Sequence, residues 1–313
     1  MDLAFEQAFF SWLSERGLGV KEISYCREVG GGMVHAYRLT PKLRKGLILF
    51  VHGAGNDALF PQVHLFKRLL LRDFEIFSFD LDGQGRKSTT VFSIEGLTGA
   101  VEQALDVALA ECGESVSMLN KGVHVIGASL GGALTLKSLP GLSHRVSSAV
   151  ILAAPMSLGS LWNALPEALA VFHPSVYKHW TTYKPWQLTP SFGVFGRERY
   201  PVRLDGDIYG STPAVERILG FTYLTHIRRL LNSLELDKMA SSIQLPVLLI
   251  YGGLDRLAPA AHGRYLHGMI QRSKFVCLKR HGHFSMPFSE RLLDEIVTWL
   301  DLSSREAASG ECL

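Results

Sequence analysis

Short apolar runs alternate along most of the chain with segments whose apolar residues recur at helical spacing. The strand-length runs lie at 47–51, 74–80, 123–128, 147–153, 245–251 and 274–278. Several are uninterrupted, such as Val247-Leu248-Leu249-Ile250, which is typical of strands buried on both faces of a parallel sheet. Helical periodicity is strongest over 101–112, 130–139, 259–271 and 287–302. This alternation predicts an α/β fold with helices on both faces of a mostly parallel sheet.

The two ends of this pattern carry further elements. Apolar residues on one side of the first twenty positions predict a short amphipathic helix, and two runs at 21–29 and 33–39 predict an antiparallel hairpin around Gly30-Gly31-Gly32. The hairpin brings the expected sheet to eight strands. A polar tail is expected from residue 303 onwards.

One region interrupts the alternation. Residues 156–240 lack a convincing buried strand and contain short helix-like pieces at 161–172, 214–219 and 224–234, with many aromatic residues. The region could be a helical insertion with its own small core, or a cap whose aromatic side chains wall an apolar substrate pocket. The expected domains are a core of residues 1–155 and 241–313 and a helical cap of residues 156–240.

Composition excludes several classes of protein. The chain has 313 residues, 47% of them hydrophobic and 19% charged, which is globular rather than disordered. Its net charge is +3 and no basic run is present, so nucleic acid is not an expected partner. Four scattered cysteines without CxxC spacing support neither a zinc site nor a disulfide framework. Acidic residues interrupt the first twenty positions and no apolar run approaches the ~20 residues of a membrane helix, so a cytoplasmic location is expected.

The strongest chemical motif is Gly127-Ala128-Ser129-Leu130-Gly131, which follows an apolar strand and precedes a predicted helix. A G-x-S-x-G sequence in this context places a nucleophilic serine on a sharp strand-to-helix turn. The helix N-terminus then supplies free N–H groups and partial positive charge to a developing oxyanion. A glycine-rich phosphate loop is the alternative, but the spacing of a dinucleotide site and its acidic partner ~20 residues later are absent.

A serine nucleophile needs a base and a group that orients the base. The base is assigned to His283 rather than its neighbour His281, and the orienting acid to Asp255, because both follow strands and complete the chain order Ser, Asp, His. The backbone N–H groups of Ala54 and Leu130 are the expected oxyanion donors, with His52 fixing the loop of Ala54. The turn after the 74–80 run is expected to be structural, without a chemical step for Asp80 or Asp82, and the chemistry requires no metal or cofactor.

The segments HGAG (52–55), DLDGQGRKS (80–88), GASLG (127–131), GGLDR (252–256) and HGH (281–283) together resemble an α/β-hydrolase. Within that superfamily the chain resembles the capped esterase, lysophospholipase and monoacylglycerol-lipase group, and the resemblance covers 45–155 and 241–302. It implies Ser129 as nucleophile, His283 as base and Asp255 as acid. Ala128 and Leu130 depart from the residues common beside the family's serine, and the 156–240 region matches no motif.

These observations predict a serine hydrolase that cleaves a small-molecule carboxylic ester with an apolar acyl or aromatic group through an acyl-enzyme. Thioesters, amides and carbon–carbon bonds use the same machinery, as would a perhydrolase or lyase. A small-ligand receptor or a non-catalytic scaffold on the same fold are the alternatives outside enzymes. A complete Ser-Asp-His set argues against the scaffold.

Overall fold

The strands pair into one sheet in the order β1-β2-β4-β3-β5-β6-β7-β8, in a computed structural model that describes residues 4–85, 87–112, 122–159, 173–177 and 221–309. β1 pairs with β2, and β2 with β4, in antiparallel fashion, while all remaining pairs are parallel. The predicted eight-stranded, mostly parallel sheet is therefore confirmed. In chain order its strands are β1 Gly19–Cys26, β2 Met33–Thr40, β3 Gly46–Val51, β4 Phe74–Phe79, β5 Val123–Ala128, β6 Ser148–Leu152, β7 Val247–Gly252 and β8 Ser273–Leu278.

Helices connect the strands and cover the sheet. Among the described residues they are α1 Ala4–Glu15, α2 Val63–Leu70, α3 Ile94–Glu111, α4 Leu130–Leu142, α5 Pro174–Tyr177, α6 Phe221–Leu234, α7 Leu236–Met239, α8 Ala260–Met269 and α9 Glu290–Ser309, with 3-10 turns at Ala240–Ser242 and Met286–Phe288. No described helix is long and apolar enough to cross a membrane.

The uninterrupted apolar runs form the centre of the sheet. Every residue of β3, β4, β5, β6 and β7 is buried, because helices pack on both faces of these strands. In the edge strand β8, Lys274 is exposed, and only Val276 and Leu278 are buried. The parallel strands from β3 to β8 thus end along the same edge of the sheet, where the candidate chemistry of the sequence is concentrated.

The prediction misses the start of α3, the whole of α2 and the end of α9. α3 begins at Ile94 rather than 101, because Ser93 caps it by accepting a hydrogen bond from the Gly96 N–H at 3.0 Å. α2 was not predicted, although Val63, Phe66 and Leu69 recur on its buried side. α9 continues to Ser309 instead of ending in a polar tail. Its Ser304 is buried, where its hydroxyl meets His124 Nε2 at 3.0 Å.

Most of the predicted cap, including the helical pieces at 161–172 and 214–219, lies outside the described residues. The piece predicted at 224–234 is part of α6, which packs against α4. α4 begins directly after Ser129, the candidate nucleophile. α6, which belongs to the 156–240 region, therefore contacts the helix that follows this residue.

Candidate active site

Ser129 occupies a sharp turn between β5, which ends at Ala128, and α4, which begins at Leu130. Its backbone has φ 52° and ψ −117°, in a region that residues other than glycine seldom adopt. The Ser129 N–H donates to the Leu152 carbonyl of β6 at 2.8 Å, which fixes the turn to the neighbouring strand. A strained residue at a sheet edge, held by its surroundings, is characteristic of functional sites.

The two glycines that flank Ser129 are required because the helix crosses the sheet at close range. A Cβ on Gly127 would lie 2.4 Å from Thr135 Oγ1, and one on Gly131 would lie 2.2 Å from the Val51 carbonyl oxygen. Both distances are far below ordinary contact. The G-x-S-x-G spacing is therefore a packing requirement of the joint between β5 and α4.

The loops after β7 and β8 carry Asp255 and His283, and they pack directly on each other. The Leu254 N–H donates to the His281 carbonyl at 2.9 Å, and a Cβ on Gly252 would lie 2.5 Å from that same oxygen. The close backbone contact fixes the position of one loop against the other. The acidic side chain and the imidazole are consequently positioned by backbone structure.

Ser129, His283 and Asp255 form one continuous chain of hydrogen bonds. The Ser129 Oγ to His283 Nε2 distance is 2.9 Å, and the His283 Nδ1 to Asp255 Oδ2 distance is 2.7 Å. Since a carboxylate can only accept, His283 Nδ1–H donates to Asp255, and Nε2 is left to accept the serine proton. Asp255 and His283 are only 6% and 9% exposed, while Ser129 is half-buried. The three side chains are therefore arranged for proton transfer away from Ser129 Oγ.

The second oxygen of Asp255 is also occupied. Oδ1 accepts hydrogen bonds from the Leu257 and Ala258 N–H groups at 2.8 and 2.7 Å. These bonds hold the carboxyl plane, so that the remaining oxygen faces the imidazole. His281 lies elsewhere: its ring centroid is 4.7 Å from that of His173. Of the two neighbouring histidines considered as the base, it is His283 that contacts Ser129.

The loop after β3 lies against Ser129. A Cβ on Gly53 would come within 3.0 Å of the Ser129 Cβ, which places the adjacent Ala54 beside the nucleophile. On the other side, Leu130 begins α4, and the first N–H groups of a helix have no partner within it. The two predicted oxyanion donors therefore lie on segments that flank Ser129.

His52 fixes the β3 loop through backbone hydrogen bonds at both ring nitrogens, so it is not positioned to transfer protons. Its Nδ1 lies 2.7 Å from the Gly53 carbonyl oxygen, and its Nε2 accepts from the Leu81 N–H at 2.9 Å. Because Nε2 is an acceptor, the imidazole is neutral and donates from Nδ1. Complete burial lowers the pKa of His52 to about 4. This is the loop-fixing role expected from the sequence.

The turn after β4 contributes contacts that the sequence did not predict. The Gly55 N–H donates to Gln84 Oε1 at 2.7 Å, and the Ala58 N–H donates to Asp80 Oδ1 at 2.9 Å. Asp82 forms a buried ion pair with Arg27 at 2.8 Å, and burial raises the pKa of Asp82 despite the nearby guanidinium. The sequence signal for these contacts was Gln84, a polar residue between Gly83 and Gly85 at the same sheet edge as the β3 loop.

Chemically, the arrangement combines a serine hydroxyl, a base in contact with it, an acid that orients the base and a helix N-terminus. Within the described part of the chain, no cluster of three or more His, Cys, Asp or Glu residues could hold a metal ion. A family model described as the alpha/beta hydrolase family matches residues 48–298. The chain belongs to the alpha/beta hydrolase family.

Relatives of this alpha/beta hydrolase include esterases. The chain is 25% identical over 251 residues to a pimeloyl-[acyl-carrier protein] methyl ester esterase of Neisseria meningitidis, a match that covers 75% of the chain and 86% of the relative. A 2-hydroxy-6-oxo-6-phenylhexa-2,4-dienoate hydrolase of Rhodococcus matches in structure with TM-score 0.55 and 19% identity, over 91% and 100% of the two chains. A monoacylglycerol lipase of Paleococcus ferrophilus matches with TM-score 0.55 and 17% identity, over 86% and 99%. The structural matches share the fold of this hydrolase, and its relatives are of esterase type.

Proposed function

We propose that this chain is a serine hydrolase that cleaves carboxylic esters through an acyl-enzyme. The observation that supports the proposal most directly is the unbroken hydrogen-bonded chain from Ser129 Oγ through His283 to Asp255, at 2.9 and 2.7 Å. The esterase relatives support the same reaction class. Fold alone would not distinguish it from other activities on this scaffold.

In the proposed mechanism, Ser129 Oγ attacks the ester carbonyl carbon while His283 Nε2 takes its proton. Asp255 holds the imidazole in the tautomer that can accept that proton and stabilises the imidazolium. The N–H groups of Ala54 and Leu130 bind the oxygen of the tetrahedral intermediate, which is worth about 3 kcal/mol per donor in comparable enzymes. His283 then gives the proton to the departing alcohol. A water molecule then attacks the acyl carbonyl carbon while His283 takes its proton. His283 returns this proton to Ser129 Oγ as the ester bond to the serine breaks and the acid is released.

The proposed substrate carries an apolar acyl chain or an aromatic group. The dense aromatic residues of the 156–240 region support an apolar pocket, and α6 of that region packs on the helix that begins at Leu130. Methyl esters belong in the first panel because the curated relatives are described as methyl ester esterases of an acylated carrier protein.

Ser129→Ala tests the proposal. We expect wild type to turn over p-nitrophenyl esters and to be labelled by a fluorophosphonate, whereas Ser129→Ala loses both by at least about 10³-fold without unfolding. Graded chain lengths, a methyl ester, a thioester and an amide define the scissile bond. The exposed Ser143→Ala serves as a matched serine control that should retain full turnover. Folded wild type without labelling or turnover would favour a small-ligand receptor instead.

A further inference from the structure

Three hydrogen bonds join the β3 loop, which carries Ala54, to the turn after β4. One of them connects His52 Nε2 to the Leu81 N–H at 2.9 Å. In the second, the Gly55 N–H donates to Gln84 Oε1 at 2.7 Å, and in the third, the Ala58 N–H donates to Asp80 Oδ1 at 2.9 Å. His52 and Gln84 are both 0% exposed, so water does not compete for these bonds. The turn therefore acts as a rigid support for the loop.

The two peptide planes on either side of Ala54 are both held by side chains. The plane between Gly53 and Ala54 is fixed through its carbonyl oxygen, which lies 2.7 Å from His52 Nδ1. The plane between Ala54 and Gly55 is fixed through its N–H, which donates to Gln84. A residue has only two soft torsions, φ and ψ, and each is determined by one flanking plane. With both planes hydrogen-bonded, rotation about φ and ψ of Ala54 is restricted.

We propose that Gln84 is a positioning residue that, together with His52, fixes the direction of the Ala54 N–H in the oxyanion site. The proposal rests on the proposed function, because it assigns that N–H to the tetrahedral oxyanion. In a trans peptide the N–H points opposite to the preceding carbonyl, so the orientation of the Gly53–Ala54 plane sets the direction of the donor. Gln84 holds the following plane, between Ala54 and Gly55, through the Gly55 N–H. It thereby prevents the two planes from rotating together about Ala54.

Gly55, the residue after Ala54, explains why the hydrogen bond to Gln84 is needed. Gly55 has φ +75°, and glycine populates several backbone regions at similar free energy. Without an acceptor for its N–H, the Ala54–Gly55 plane would exchange between orientations, and the buried N–H would lack a partner. A donor that is aligned only part of the time stabilises the transition state less, because preorganisation is the source of the effect.

The experiment compares three variants of Gln84. Gln84→Met has similar length but no acceptor, Gln84→Glu keeps an acceptor oxygen, and Gln84→Asn keeps the amide but withdraws it by one methylene. We expect Gln84→Met and Gln84→Asn to lower kcat on a p-nitrophenyl ester by about 10- to 100-fold with KM within twofold, since a loosened donor acts on the transition state. Gln84→Glu should recover most of kcat.

A second readout separates positioning from stability. A trifluoromethyl ketone forms a tetrahedral adduct whose oxygen occupies the oxyanion site, and its affinity should fall in parallel with kcat/KM across the series. His124→Leu is the control, because it removes two buried hydrogen bonds near the opposite end of β5. It should lower Tm without changing kcat.

Wild type that neither turns over esters nor binds the ketone would overturn the proposed function, and this assignment with it. Active wild type with Gln84→Met or Gln84→Asn equal to it in kcat would overturn the assignment of Gln84 alone, whatever their Tm. Should Gln84→Met fail to fold, the contrast between Gln84→Glu and Gln84→Asn decides the same question.

Discussion

At the scale of single residues, Asp255 does two separable things with its two oxygens. Oδ1 holds the loop through two backbone N–H groups, and Oδ2 accepts from His283 Nδ1. An asparagine can keep the first function through its carbonyl oxygen. Its amide nitrogen would then face Nδ1 as a donor and force the imidazole into the tautomer with the proton on Nε2. Such an imidazole cannot accept the serine proton.

We therefore expect Asp255→Asn to lower kcat by about 10³- to 10⁴-fold while leaving the loop folded. Steady-state kinetics on a p-nitrophenyl ester measure the loss, and thermal unfolding checks the fold. Asp73→Asn, a substitution of the same type at a residue that follows α2, is the control and should leave kcat unchanged. A variant of Asp255 with wild-type kcat would contradict the orienting role assigned to this carboxylate.

At the scale of elements, the packing of α4 against β3 determines how close Ser129, the proposed nucleophile, lies to the β3 loop, which carries the proposed oxyanion donor Ala54. A Cβ on Gly131 would lie 2.2 Å from the Val51 carbonyl oxygen and 2.4 Å from that of His52. Both atoms belong to backbone that cannot move without disturbing the sheet or the loop. We expect Gly131→Ala to destabilise the fold by more than about 2 kcal/mol, as overpacking of a close contact does. Urea unfolding provides the measurement.

Gly99 on α3 is the matched control for Gly131. It is exposed, lies inside a helix, and a Cβ there would meet nothing within 4 Å. Gly99→Ala should stabilise the protein by about 0.5–1 kcal/mol, because alanine restricts the unfolded chain and favours helix. Equal stability changes at the two glycines would show that the contact with β3 does not constrain α4.

The β1–β2 hairpin is connected by an ion pair, rather than by proximity along the chain, to the sheet edge that carries the candidate active site. Arg27, just after β1, forms a buried ion pair with Asp82 and donates to Gln103 Oε1 at 2.8 Å on α3. Buried ion pairs contribute little net stability but are costly to break, so they favour one arrangement over others. Here that arrangement places the turn of Gln84 between the hairpin, α3 and the β3 loop.

At the scale of the whole molecule, the sequence was sufficient for features that depend on local pattern. Uninterrupted runs such as 247–250 identified the buried strands, and residues following strands identified Ser129, Asp255 and His283 as neighbours at one edge. The start of α3 was missed because Gly96 and Gly99 weaken its periodicity, although Ser93 is a recognisable cap. The glycines on either side of Gln84 indicate a turn, but its bond to Gly55 was not predicted, since that partner depends on β3 and β4 lying side by side with particular loop conformations.

Buried histidines make the stability of the whole fold depend on pH. His124 lies between Ser148 and Ser304, and burial lowers its pKa from 6.5 to about 4, with Lys45 adding to the effect. Between about pH 4 and 6.5 the unfolded chain therefore binds a proton at this residue that the native chain excludes. The contribution of neutral His124 to the free energy of unfolding is fully present above pH 6.5 and is lost as the pH falls towards 4.

His124→Gln should remove this dependence, because glutamine does not titrate and can still form a hydrogen bond with a flanking serine. The wild-type free energy of unfolding should fall more steeply on acidification than that of the variant, by up to about 1.4 kcal/mol per pH unit. Urea unfolding at intervals from pH 7.5 to pH 4.5 measures both slopes, and the exposed His144→Gln is the matched control. Parallel slopes for wild type and His124→Gln would mean that His124 takes up its proton in the native protein over the same pH range as in the unfolded chain. The Ser304 hydroxyl donates to the Leu300 carbonyl and so already accepts from Nε2. The Ser148 hydroxyl would then have to accept from Nδ1 as well, and the joint between β5 and α9 would carry a buried charge.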